Sequence, residues 1–300
     1  MSFTPREGTA DFRPEVWAAA LMEPYQASLV YAQQGLVNRE YIGEITGRGS
    51  SVRVSTIGKP TVKDYDPNAD LETEDLDVTD VSYSIDQGSY INFRVEDVEA
   101  LQAAGPLKDP AIRLAARGLA ESADTWVGSQ MSTSAKNKLG NVEIWKGNPD
   151  KAKEMTTATD ALINLSEQLD NESVPEAGRF VVVGTGFYSA LLRDPAFTRV
   201  DAAGTDQGLR NGIIGRYVGM DILRSPNVPK TAGREHIIAG TPEAFSFAEQ
   251  INKIEQAREE KRFADLVKGL MIYGGKAFRP EGLAVLQADL KTAHAETPAG

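Results

Sequence analysis

The sequence has no cysteine and only two histidines, His236 and His294. The first absence removes disulfides, a thiolate nucleophile and every cysteine-based metal site. The second leaves too few imidazoles for a histidine-cluster zinc centre and supplies a Ser-His-Asp triad poorly. Basic charge is also short. The 300 residues carry 32 Lys and Arg against 43 Asp and Glu, a net charge of −11. Such a surface repels nucleic-acid phosphate, which argues against a DNA- or RNA-binding protein. No apolar run approaches the ~20 residues of a membrane span, and Met1–Ala10 lacks a signal-peptide core. A soluble intracellular protein with no membrane partner is expected. With 41% hydrophobic residues the chain can bury a full core, as one large or two medium domains.

What is present is organised around one run, from Asp109 to about Ser132. Asp109 suits an N-cap, Pro110 a first helical turn, and nothing breaks the pattern afterwards. Ile112, Ala115, Leu119, Ala123, Trp126, Val127 and Met131 recur at three- and four-residue spacing and predict one buried face. Arg113, Arg117, Glu121 and Asp124 are expected to stay wet. A narrow, Ala-rich stripe on a helix of roughly 33 Å suits a strut.

Before this strut, Phe12–Tyr31 predicts a short amphipathic helix with Val16, Trp17, Ala20 and Leu21, interrupted by Pro24. It has little of its own chain to cover it, so it docks either on its own domain or, as an arm, on a neighbour. Alternation at Val52, Val54 and Thr56, at Val81, Tyr83 and Ile85, and at Ile91, Phe93 and Val95 predicts three strands. The first two make a long two-stranded projection with arms Val52–Val62 and Asp77–Ile85, on the order of 35 Å. A hairpin alone is marginal in water and needs a surface to lie on.

The acidic stretch Asp64, Asp66, Asn68, Asp70, Glu72 and Asp75 meets the oxygen spacing of a calcium loop. Ala69 stands where the turn wants Gly, Pro67 stiffens the loop, Asp75 replaces the bidentate Glu, and the flanks are strand-like. A solvated acidic loop is the favoured reading, with a weak divalent site between subunits as the other.

After the strut, Asn141–Asp150 is turn-rich. Thr156–Leu169 then predicts a helix with Leu162, Ile163, Leu165 and Leu169 apolar. Arg179–Val183 predicts a buried strand and Phe187–Leu192 a short helix. Between them, Gly184-Thr-Gly186-Phe-Tyr-Ser189 has the strand, glycine turn and helix of a phosphate-binding junction. Ser189 replaces the third glycine and no second parallel strand with a terminal acid follows at the expected distance, so a tight turn is the plainer reading. Tyr217–Leu223 and His236–Ala239 predict strands, with His236 structural. Phe245–Ile251 alternates and Asn252–Arg262 is highly charged. Leu266–Tyr273, Lys276–Arg279 and Leu283–Gln287 close the chain as strands punctuated by Gly274-Gly275 and Pro280-Glu-Gly282.

In this order the parts resemble the major capsid protein of tailed bacteriophages, a fold shared with encapsulin shells. Val52–Pro60 and Leu76–Phe93 are similar to the arms of that family's extended loop, and Asp109–Met131 to its spine helix. Arg179–Leu192, Gly212–Ile222 and Ser225-Pro-Asn are similar to its axial domain, and Phe263–Pro280 to its closing strands. The resemblance implies an α+β fold divided into an N-terminal arm (1–45), an extended β-hairpin loop (46–95), a peripheral domain with the spine helix (96–150), an axial domain (151–255), and a return to the peripheral domain with a tail (256–300). It implies homo-pentamers and homo-hexamers forming an icosahedral head shell around double-stranded DNA, assembled in the host cytoplasm. A separate scaffolding protein, a portal, a maturation protease and possibly a decoration protein would accompany it. No catalytic residue, cofactor or metal is expected. Inter-subunit contacts are expected at Trp17 on the arm, at Lys59, Lys63, Asp64, Asp66, Glu72 and Asp75 on the loop, and at Arg113 and Arg117 on the spine. Some relatives crosslink a loop lysine to a neighbour's asparagine, and Lys59 and Lys63 are the candidates here. An encapsulin-type shell and a nucleotide-binding α/β enzyme at Gly184–Ser189 are the alternatives.

Overall fold

The computed structural model describes residues 29–39, 51–57, 61, 73, 75, 78–96, 108–146, 156–194, 196–197, 213–258 and 264–291. The first two strands, β1 (Ser51–Ile57) and β2 (Val78–Ser84), run antiparallel from Ser51↔Ser84 to Ile57↔Val78 and form, among the described residues, a sheet of two strands. Seven pairs make a ladder about 23 Å long. Of the expected continuation to Val62 only Thr61 is described, outside any strand; 58–60 and 62–72 lie outside the described residues. A third strand, β3 (Gln87–Glu96), covers the third alternating set.

The strut is α1 (Lys108–Ser134), 27 residues and about 40 Å long. It starts one residue before Asp109, so Asp109 lies within the first turn and not at the cap. Ala116, Leu119, Ala120, Ala123, Val127 and Met131 are buried, while Arg113 and Arg117 are exposed as predicted. Asp124, predicted to be wet, is 0% exposed. Positions 120, 123, 124, 127 and 131 share one face of a 3.6-residue helix, so the apolar stripe runs through it.

Turn residues do not end the next element. β4 (Asn137–Trp145) continues through Asn141, correcting the turn-rich reading of 141–145. Its register slips between Val285 and Gln287 of its partner strand, and Gly140 has φ 74°. Gly140 therefore serves a bulge, which lets the strand go on. The following helix, α2 (Ala158–Asn171), opens with a capping box in which Asp160 N–H donates to Thr157 Oγ1 and Thr157 N–H to the Asp160 carboxylate. Leu162, Leu165 and Leu169 are buried, and Ile163 lies on the wet side.

The apolar run β5 (Phe180–Val183) is wholly buried and leads into α3 (Thr185–Leu191). The segment read as one strand, Tyr217–Leu223, is instead a hairpin of β6 (Ile213–Tyr217) and β7 (Met220–Arg224). Val218 and Gly219, at φ 47° and 75°, make the two-residue turn whose left-handed backbone matches strand twist. A further hairpin joins β8 (Lys230–Thr231) to β9 (Arg234–Gly240).

Charge does not end β10 (Phe245–Arg258), because an edge strand can send alternate residues to water. Its ladder only slips at Asn252. Glycine does not punctuate β11 (Ala264–Ala277) either. A Cβ at Gly274 would stand 2.8 Å from both Ile85 Cα and Ser84 O, and one at Gly275 2.6 Å from Ser246 O. These glycines admit neighbouring backbone where a break had been predicted. The last strand is β12 (Leu283–Lys291).

The strands sort into three sheets. Beside the β1–β2 pair, β10-β11-β3 is antiparallel, and a mixed seven-stranded sheet runs β4-β12-β9-β5-β7-β6 with β8 on β9. Alternation divides the large sheet. Phe180, Val182, Ile238 and Val285 face one core with α1, and Val181, Val183, Ile237 and Leu286 face a second core with α2 and α3. The first core also takes Phe247, Met271 and Tyr273 from the three-stranded sheet and Leu29–Val37 from the arm. A small third cluster, Tyr83, Ile85, Ala248 and Ile272, covers one end of that sheet's other face. No described helix is long and apolar enough to cross a membrane.

Candidate functional site

The junction most like a ligand site, Gly184 to Ser189, has the predicted strand–turn–helix shape, and its donors are already occupied. Glu235, the first residue of β9 after Arg234, turns its buried carboxylate onto the start of α3. Gly186 N–H donates to Oε1 at 3.3 Å and Phe187 N–H to Oε2 at 3.0 Å. Lys230 Nζ lies 3.4 Å from Oε1 at the rim. A carboxylate of the chain itself therefore fills the place a phosphate would need. The glycines follow from that packing. A Cβ at Gly184 would fall 2.5 Å from Glu235 Cδ and 2.7 Å from Val228 Cγ2, and one at Gly186 2.5 Å from Leu290 Cδ1. The parallel neighbour of β5 is β7, which ends in Arg224 where a ribose-binding acid would stand.

A second buried carboxylate holds the arm. Val30 N–H donates to Asp124 Oδ2 at 2.7 Å and Ala32 N–H to Oδ1 at 3.1 Å. Burial pushes the Asp124 carboxyl up to about 7, against the lowering effect of the Ala32, Val30 and Tyr31 backbone donors. Tyr31 itself is 0% exposed, and its ring lies where a Cβ on Gly128 would be 3.1 Å away. Further on, Asn38 N–H donates to Phe245 O and Phe247 N–H to Asn38 O, which adds the arm to the edge of β10. Arg39 pairs with Glu249 and lies over the Phe247 ring. Of the two docking readings, the described part of the arm thus lies on its own body; 12–28, Trp17 included, is outside the described residues.

His236 is structural, as expected. Its Nδ1 is hydrogen-bonded to Ser132 Oγ at 2.6 Å, joining β9 to α1, and burial lowers its pKa. Of the predicted contact residues, Lys59, Lys63, Asp64, Asp66 and Glu72 also lie outside the described residues. Asp75 is exposed without regular structure. Arg113 and Arg117 share the wet face of α1, where Arg117 Nε donates to Glu121 at 3.0 Å. Among the described residues no group of three or more metal-binding side chains is placed to hold an ion.

Sequence reading missed Asp124 and Glu235. The signal for the first was its position inside the apolar stripe. Glu235 had none, since its role depends on a turn 49 residues away.

The fold recurs among solved capsid structures. The chain is similar over nearly its whole length to a solved structure from Mycobacterium phage Che8, at 27% identity and TM-score 0.64, covering 95% of this chain and 96% of that one. The capsid of cyanophage P-SCSP1u matches at 17% identity and TM-score 0.58, covering 97% and 93%. A virus-like particle from Pyrococcus furiosus matches at 14% and 0.53, covering 91% and 99%. No curated protein matches. Residues 79–286 match the phage capsid protein family, and the chain belongs to it. It is a structural protein of the virion capsid.

Proposed function

We propose that this chain is the major capsid protein of a tailed phage, assembling as pentamers and hexamers into an icosahedral head around double-stranded DNA. The observation that carries the reading is the β1–β2 hairpin, a sheet of two strands. Tyr83 at one end packs on the chain's own Ala248 and Phe278; beyond it two strands alone are marginally stable, and burial against a second copy supplies the missing layer. The loop beyond it, with Lys59, Lys63, Asp64, Asp66, Glu72 and Asp75, and the arm with Trp17 make contacts between subunits. Arg113 and Arg117 face packaged DNA or a neighbour. The divisions at 45, 95, 150 and 255 separate arm, loop, peripheral and axial parts. A net charge of −11 lets the shell contain DNA without adhering to it, because adhesion grows with phosphate contacts. A separate scaffolding protein, a portal and possibly a decoration protein complete the head, which forms in the host cytoplasm.

Negative-stain electron microscopy of the purified protein, alone and co-expressed with a candidate scaffold, tests this. Closed shells, rings of five or six, or curved sheets are expected. A compact monomer or dimer under both conditions overturns it.

A further inference from the structure

The arm is held on α1 by a buried acid and no base. Asp124 is 0% exposed, and both of its carboxylate oxygens accept backbone N–H groups of the arm. Among the described residues no ion pair reaches it. Of the charged and titratable groups described around it, the cationic one, Arg39, is already paired. Tyr31 and Arg39 come from the arm, and Arg39 is tied to Glu249 of β10. Glu249 and Glu235 bring negative charge from β10 and β9, and His236 lies two helical turns further along, on Ser132. On α1 itself, Arg117 and Glu121 pair with each other on the wet face. A carboxylate ionised here is desolvated with no positive partner, whereas one on an undocked α1 would face water.

We propose that Asp124 is a pH-sensitive latch: protonated it keeps Leu29–Arg39 seated on α1, and ionised it weakens that seat and frees the arm. The inference concerns one chain and holds whether or not shells form. Raised above 3.8 to about 7 in the docked state, the group binds its proton more tightly when the arm is seated. The stabilisation is therefore complete below 3.8, is lost as pH rises from there to about 7, and changes little above that. Between pH 5 and pH 8 the two pKa values make the docking constant fall about a hundredfold. Titration of His236 runs the other way. Its pKa is lowered, so acid charges a buried ring and loosens the contact with α1. The sign of the pH profile thus separates the two groups.

The test is hydrogen exchange of the full chain from pH 5 to pH 8, followed on peptides spanning 29–39 and corrected for the intrinsic rate. Protection of Val30 and Ala32 is expected to fall by about a hundredfold across that range in the parent protein. Asp124→Asn, which cannot ionise, is expected to give a flat profile. Protection in the parent that is flat, or that rises with pH, overturns the latch. So does an Asp124→Asn profile that keeps the parent's slope. Should that variant fail to fold, the parent profile alone decides.

Discussion

Replacing Gly184 by Ala would test the account of the β5–α3 junction. The new Cβ would lie 2.5 Å from Glu235 Cδ and 2.7 Å from Val228 Cγ2, well inside ordinary contact. Glu235 cannot withdraw without releasing the N–H groups of Gly186 and Phe187. Hydrogen bonds to a charged group contribute ~1.5–3 kcal/mol each. A buried charge stripped of its partners costs about 3–5 kcal/mol. We expect Gly184→Ala to lose about 3–5 kcal/mol in urea unfolding of dissociated subunits. Combined with Glu235→Ala, which removes the carboxylate and leaves only the Val228 methyl to shift, the pair should cost at least ~1.5 kcal/mol less than the sum of the single changes. A loss below ~1 kcal/mol for Gly184→Ala, or simple additivity, would refute the claim that the glycine is there to admit the carboxylate.

Three further changes should act in the stabilising direction. Gly118 lies on an exposed stretch of α1 with nothing within 4 Å of an added Cβ, so Gly118→Ala should gain about 0.5–1 kcal/mol by denaturant titration. The Tyr31 hydroxyl is buried without a partner among the described residues, so Tyr31→Phe should leave stability unchanged or raise it by up to ~1 kcal/mol. A clear loss there would reveal a partner for the hydroxyl. Val218 holds a left-handed φ of 47° that a β-branched residue resists, and Val218→Asn should raise the thermal midpoint by about 2–4 °C. A lower midpoint would mean that the half-exposed valine packs for more than its backbone costs.

The order and kind of the main elements were readable because their periods are long and unbroken. The stripe of α1, the β-branched run at Phe180–Val183 and the alternation of β1, β2 and β3 each follow from local chemistry. The errors share one cause, which is reading a residue's local habit where a distant contact decides. Gly274 and Gly275 looked like a break until Ile85 and Ser246 were seen beside them. Gly140 and Asn141 looked like a turn and instead shape a bulge beside β12, more than 140 residues away. Asp124 looked wet because aspartate usually is, and only the arm's backbone donors make its burial tolerable. The same limit hid Glu235, whose partner turn lies outside any local window.

The place of β12 carries a consequence for how the protein is made. This strand, the last of the described chain, lies between β4 at one edge of the large sheet and β9. Until the ribosome has delivered Leu283–Lys291, β4 lacks its partner strand among the described residues and both cores lack a wall. Closing the sheet also joins residues far apart in sequence, a slow step in folding. Nascent copies crowded on one polysome therefore cannot present a finished body to each other. Assembly of the kind proposed above has to wait for this strand, although the β1–β2 hairpin is translated early.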